Sequence, residues 1–217
     1  VSHRKITVVL ELPGTAEELW ERTFRAKLRS QVRRAERAGF EPRFGAGEAE
    51  AFYAVFARNM RDLGTPVLPW RFFDEVRARL GGAVVFGAVY RRGEPVAGGC
   101  GVAYRDTFEL TWASSLRRYA PEAPSMLLYW SFLAHAVARG AGAFDFGRCT
   151  PGSGTHRFKL QWGGRDRPLP WAQWSRRGLA GPPTPDRPAW RLAARVWRRI
   201  PLAVASRLGP VLARSLP

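Results

Sequence analysis

The stretch Phe144–Gly164, FDFGRCTPGSGTHRFKLQWGG, gathers the residue types that chemistry on a phosphate-bearing substrate needs. It opens as a strand and passes into a loop rich in glycine: Gly147, Gly152, Gly154, Gly163 and Gly164. Glycines let backbone N–H groups come close to an anion. Arg148, Arg157 and Lys159 add cations, so the stretch reads as a phosphate-binding constellation. Lys159 stands out because the other lysines are only Lys5 and Lys27. A compact ammonium can follow a reacting phosphate or carbonyl in a way that a planar guanidinium cannot. The competing reading is an ordinary charged loop. The spacing is neither a Walker loop nor a Rossmann fingerprint.

The neighbouring side chains have more than one role open to them. Asp145 can orient Arg148 or Lys159, pair with an arginine as a buried strand carboxylate, or act as a base. Gln161 and Trp162 can line the site or belong to the core. Cys149 and His156 face each other across the loop in sequence, but seven residues over a glycine loop is no recognised nucleophile–base motif. His135 lies in an apolar helical stretch and reads as a satisfied core histidine. Tyr129 and Trp130 read as core.

Several elements must position these groups. Lys5–Leu12 is rich in β-branched residues and reads as a strand ended by Pro13-Gly14. Thr15-Ala16-Glu17-Glu18 reads as a capping box opening a helix to about Ala38. Its apolar face is Trp20, Phe24, Leu28, Val32 and Ala35, and Gly39 is a plausible C-cap. A short strand, 40–44, leads to a helix from Glu48 to Leu63. A third helix, Pro69 to Leu80, is expected to bury Phe73, Val76 and Leu80. Then Ala83–Tyr90, Pro95–Tyr104 and Thr107–Ser114 form an antiparallel meander with tight turns. A helix from Ser125 to Arg139 and strands at 143–147 and 167–175 follow. Gly178–Pro188 reads as a linker, and two basic amphipathic helices, Trp190–Ile200 and Leu202–Leu212, close the chain. This order predicts an α+β fold with a central mixed, mostly antiparallel sheet flanked by helices.

Composition narrows the function classes. The 217 residues hold 35 Lys and Arg against 18 Asp and Glu, a net charge of +17. Such an excess points to polyanionic partners: nucleic acid, nucleotide phosphates or an anionic membrane surface. The arginine-rich face of the first helix fits a tRNA or polyphosphate contact. In the last 42 residues, Arg176–Pro217, nine Arg face one Asp. Paired with Trp190, Leu192, Val196, Trp197 and Ile200, this tail suits an interfacial helix. Cys100 and Cys149 are too few for a disulfide scaffold or a four-cysteine zinc site, and no metal site is expected. No apolar run reaches membrane-spanning length, and no secretory signal is evident. A cytoplasmic location is expected, with peripheral membrane contact open to the basic tail. Because Val1 opens the chain, a piece of a longer protein is expected.

Phe144-Asp145-Phe146-Gly147-Arg148, with Gly154-Thr155, Phe158-Lys159 and Trp162-Gly163, resembles the signature of the FemAB family. More narrowly, it resembles FemAB-related proteins associated with exosortase/PEP-CTERM systems. Asn59–Pro66 with Arg71-Phe72-Phe73, Leu127–Trp130 through Ala138-Arg139-Gly140, and Arg207-Leu208-Gly209-Pro210 agree. The resemblance covers nearly the whole chain. It implies lobes similar to GNAT acetyltransferases: residues 1–45 as the end of a first lobe with a connecting helix, 46–177 as the second lobe, and 178–217 as linker and basic helices. The missing part would be about 100 residues, roughly one small domain. The implied activity is N-acyl transfer, aminoacyl or acyl, onto a phosphate-linked cell-envelope or exopolysaccharide precursor. The implied donor is aminoacyl-tRNA or acyl-CoA, with no permanently bound cofactor.

The resemblance makes Lys159 and Asp145 the catalytic candidates. It makes Arg148, Gly154, Thr155, Arg157, Gln161 and Trp162 the substrate or phosphate contacts. Cys149 departs from the family by standing where Ser is expected. The pyrophosphate loop of GNAT enzymes should lie at Ser115–Pro124, which contains no glycine. This disfavours a plain CoA-dependent acetyltransferase, although the next helix N-terminus can still attract an anion. The alternative from another class is a non-catalytic basic module that binds RNA or membrane.

Overall fold

Alternating β-branched residues give the first strand, β1 (Ser2–Glu11), with Val8 and Leu10 buried on one side and Thr7 on the other. The structure, a computed structural model, describes residues 2–171 and 188–213. Thr15 caps α1 (Ala16–Glu18) by accepting the Glu18 amide, as half of the expected capping box. The Glu18 carboxylate instead takes Arg22.

The single helix expected to reach Ala38 is broken. A π-helical turn, Leu19–Thr23, follows α1, Phe24 and Arg25 are extended, and α2 (Ala26–Arg37) starts anew. The reason is aromatic packing. Extension swings Phe24 between Trp130 and Trp162, at 5.6 and 5.4 Å between ring centres. Arg29 then donates to the carbonyls of Trp20 and Glu21 that the break leaves open.

Strand β2 (Glu41–Phe44) and helices α3 (Glu48–Leu63) and α4 (Trp70–Leu80) follow. Gly64 ends α3 with φ +82°, a left-handed cap that suits glycine. In α4 only Phe73 is buried; Val76 is half-buried and Leu80 is 45% exposed. The helix is anchored by its first half, where Phe73 meets Phe52, Phe56 and Trp112 at 5.1 to 5.3 Å. Its last turn stays outside that cluster. The meander is β3 (Val84–Arg91), β4 (Glu94–Tyr104) and β5 (Thr107–Ser115). Then come α5 (Pro124–Ala138), β6 (Ala143–Cys149), α6 (Gly154–Leu160) and β7 (Arg165–Trp171). Helices α7 (Pro188–Trp197) and α8 (Leu202–Ala213) complete the described chain. The linker expected at 178–188 falls almost wholly outside the described residues, as does the end of the last expected strand.

The seven strands form one mixed sheet in the order β2-β3-β4-β5-β6-β1-β7. β5 and β6 pair in parallel, and the other neighbours are antiparallel. The boundary expected at residue 45 falls inside this sheet. β1 fills the place between β6 and β7, and β2 pairs with β3, so segments 2–45 and 46–171 share one core. One face packs α2 and α5 around Phe132, Phe144, Phe146 and Trp162; the other packs α3 and α4 around Phe52 and Phe73. α7 and α8 lie on α3, held by Arg61 to the Ile200 carbonyl and Arg198 to the Leu63 carbonyl.

Candidate active site

The parallel pairing of β5 and β6 lasts for three residue pairs, ending at Glu109 opposite Asp145. Beyond it the strands part, β5 staying with β4 and β6 with β1. At the fork, β6 bends through Gly147, whose φ is +75°. The Gly147 amide donates to Asp145 Oδ1 at 2.7 Å, and the Thr7 hydroxyl donates to the same oxygen. Asp145 thus holds the bend.

Lys159 reaches this bend from α6. It is 3% exposed, and its Nζ donates to the carbonyls of Gly147 at 2.5 Å and Arg148 at 3.0 Å. A Cβ on Gly147 would stand 3.8 Å from Glu109 Oε1 and 3.9 Å from Lys159 Nζ, which shows how close the two charged groups lie. Burial lowers the lysine below its ordinary pKa, while the charges of Cys149, Asp145 and Glu109 hold it up. Burial raises the Glu109 carboxyl, Asp145 adds to this, and Lys159 and a hydrogen bond from Thr111 oppose it. Two carboxyl groups and one amine therefore share the fork, and the proton affinities of Glu109 and Lys159 are drawn toward each other. Such convergence marks functional sites.

α6 divides the expected constellation. Lys159 and His156 face the sheet, whereas Gly154, Arg157 and Gln161 face outward. There they meet Gln31 and Arg34 of α2 and Ser125 and Met126 of α5 around a groove of about 410 Å³. No carboxylate lines it among the described residues. Gln161 Nε2 lies 3.8 Å from Met126 Sδ. Gln31 Oε1 is buried with no partner among the described residues. The first turn of α5 adds the positive end of a 15-residue helix. Thr155 is exposed at the start of α6, and Arg148 is exposed on β6.

Three expectations change. The glycine loop is not an open amide cradle. Gly152 N–H donates to His156 Nδ1, Gly147 N–H to Asp145, and Gly163 N–H to the Leu160 carbonyl. Trp162 is fully buried against Phe24, Tyr129, Phe146 and Phe158, so it supports the site from the core and does not line it. His156 and Cys149, whose spacing matches no recognised motif, are not brought together as a catalytic pair. His156 Nε2 donates to Asp166 at 2.8 Å while Nδ1 takes the Gly152 amide, and burial raises the Cys149 thiol. His135, expected to be satisfied, stacks on Phe44 at 5.1 Å and leaves Nε2 buried without a partner among the described residues. Burial, then Arg139, lowers its pKa.

Sequence reasoning missed Glu109 and Gln31. A lone Glu on an alternating strand reads as solvent-facing, and only the non-local β5–β6 pairing brings it to Asp145. Gln31 looks like part of a solvated helix face, while Arg34 belongs to the arginine-rich face expected to meet a polyanion, and the groove gives it a defined place.

Residues 22–160, more than half of the chain, match the acetyltransferase (GNAT) domain family. The chain belongs to the GNAT acetyltransferase-domain family. No curated protein matches it. Among solved structures this GNAT protein is similar to FemX, with 13% identity, a TM-score of 0.66 and coverage of 74% of this chain and 59% of that one. It is also similar to the C-terminal domain of a putative lysylphosphatidylglycerol synthetase from Agrobacterium fabrum, at 12% identity and TM-score 0.57, covering 75% and 57%. L-PGS from Bacillus licheniformis gives 14% and 0.53, covering 75% and 58%. At these identities the likeness is one of fold. The GNAT chain spans under two thirds of the length of each of these relatives.

Proposed function

We propose that this GNAT-family chain transfers an acyl or aminoacyl group to an amine on a phosphate-linked precursor of the cell envelope or of an exported polysaccharide. The observation that carries the reading is the acid-free groove. Arg34 and Arg157 line it together with the first turn of α5, across α6 from the fork that holds Glu109, Asp145 and Lys159. Two guanidiniums and a helix N-terminus suit a phosphate or pyrophosphate, and Gln31 Oε1 offers an acceptor for a neighbouring N–H or hydroxyl. The similar proteins include one named for lysylphosphatidylglycerol synthesis, in which an aminoacyl group meets a phosphate-bearing acceptor. The sequence resemblance adds the exosortase-associated branch and tRNA as a donor's carrier.

In such a reaction the amine nitrogen attacks the carbonyl of an activated ester. A C–N bond forms, the C–O bond to the donor breaks, the amine gives up a proton, and the departing oxygen takes one up to leave as a hydroxyl. The half-buried carboxylates Glu109 and Asp145 are the groups at the fork that can take the amine's proton. The Lys159 charge stabilises oxyanion development in a low-dielectric place. The groove residues position the phosphate, which is entropic assistance.

Transfer of labelled aminoacyl groups from aminoacyl-tRNA, and of acetyl from acetyl-CoA, to amine-bearing nucleotide-sugar acceptors tests the reading. Turnover from aminoacyl-tRNA is expected, with KM for the acceptor raised in Arg34→Gln/Arg157→Gln and kcat lowered in Glu109→Gln. Transfer from acetyl-CoA alone would establish the CoA enzyme. That outcome is disfavoured by the Ser115–Pro124 segment, where the Ala123 amide is taken by the Ala120 carbonyl. No transfer from either donor, with salt-sensitive binding of every polyanion, would leave only a basic binding module.

A further inference from the structure

In the two C-terminal helices most of the bulky aliphatic residues face away from the body, while Trp197 and Leu202 pack inward. α8 presents small residues to the body: Ala205 and Gly209 are buried, and a Cβ on Gly209 would meet Val67 N at 2.9 Å. Its bulky residues Val204, Leu208, Val211 and Leu212 recur at helical spacing on the other side and are 43% to 64% exposed. In α7, Trp197 is buried and Leu192 and Val196, one turn apart, are more than half exposed. A helix stabilised only by packing on its domain would turn its large apolar residues inward.

We propose that α7 and α8 form a docking face for an anionic lipid surface, lying in its plane with this apolar ridge in the headgroup–acyl boundary. Charge complementarity selects the occupant. Arg191, Arg195, Arg198, Arg199 and Arg207 are exposed on the same segment, and no Asp or Glu occurs from Pro188 to Ala213. Apolar ridge and uncompensated bases together are what an interfacial helix requires. A protein partner of ordinary mixed charge would leave those arginines unpaired. No helix among the described residues is long and apolar enough to cross a membrane, so insertion is parallel to the surface. The face is anchored to the fold, since Arg61 and Arg198 tie the pair to α3 and a Cβ on Gly64 would meet the Ala194 carbonyl at 2.7 Å. The inference stands apart from the transferase reading.

The test is co-sedimentation of the full chain with vesicles of phosphatidylcholine alone or mixed with phosphatidylglycerol, at low and high salt. The variants are Leu208→Asp/Val211→Asp and Arg191→Gln/Arg195→Gln. All four side chains are exposed, and thermal melts check that both variants stay folded. Wild type is expected to bind the mixed vesicles only. The Asp variant should lose at least about tenfold in affinity, and the Gln variant several-fold. Equal binding by the Asp variant would reduce the effect to surface charge and overturn the proposal. Binding to neutral vesicles as strong as to anionic ones would overturn it too. So would a wild-type dimer, seen by sedimentation equilibrium, that the Asp variant dissociates, because the face would then belong to a second copy.

Discussion

Lys159 is a charge that folding removes from water, and its partners decide whether that is tolerable. Two carbonyls at the β6 bend accept its hydrogens, and two carboxylates stand nearby. Lys159→Met keeps the length and removes the charge, but strands both carbonyls and leaves Glu109 and Asp145 without their cation. We expect a loss of about 1–3 kcal/mol from the unpaired groups, measured by urea unfolding. Unchanged stability would mean that the ammonium does not hold the bend. Glu109 gives a pH signature of its own. Its folded-state pKa is raised above the ordinary 4.5, so in the window above that value the native state binds more protons than the unfolded one. Stability conferred by the proton is present at low pH and is lost as pH rises through the raised pKa. Glu109→Gln does not titrate. The stability of wild type relative to this variant should therefore fall as pH rises from about 4.5, and a flat difference would refute the assignment.

The elements explain why these side chains meet. β4 carries glycines where helices press on both faces of the sheet. A Cβ on Gly98 would stand 2.9 Å from Phe52 Cα of α3, and one on Gly99 would stand 2.7 Å from the Phe132 ring of α5. Gly98→Ala meets backbone, which cannot swing aside. It should cost about 1–3 kcal/mol, read as a lower urea midpoint at unchanged slope. A neutral result would show that α3 sits further from the sheet. Much of this architecture was legible in the chain. The meander announced itself by alternation and tight turns, α3 by Phe52, Phe56, Met60 and Leu63, and α5 by its apolar run to Gly140. The break at Phe24 was not legible, because Trp20, Phe24 and Leu28 keep a spacing of four whether or not the helix continues. Only the Trp130 and Trp162 rings, distant in sequence, draw Phe24 out. The site was half legible for a similar reason. Arg157 and Gln161 were placed at a phosphate site, and both line the groove. Lys159, two residues from Arg157, points to the opposite side of α6, and Trp162 closes the core beneath.

At the scale of the molecule, the excess of +17 sets a field that draws in any polyanion, so charge alone cannot distinguish a site from a surface. Salt separates them. Attraction to scattered exposed arginines is screened over about 8–10 Å at ordinary ionic strength, whereas hydrogen bonds made in a groove persist. Many of the surface arginines are already engaged by acids, as Arg79 is by Glu75 and Arg118 by Glu94. Arg34 and Arg157 instead share a groove that no carboxylate lines among the described residues, and Arg157 donates to the Gly152 carbonyl, which fixes its direction. Inorganic pyrophosphate is the smallest probe of this difference. Calorimetric titration at low and high salt should show one site that survives in high salt. Arg34→Gln/Arg157→Gln should weaken that site by about tenfold or more, because each charge-assisted hydrogen bond is worth about 1.5–3 kcal/mol before screening by solvent. Arg22→Gln/Arg37→Gln, which removes the same charge from outside the groove, should lower binding at low salt only. If the two double variants behave alike, the groove adds nothing to the general field, and the phosphate reading of this face is lost while the fork at Glu109 and Asp145 stands on its own geometry.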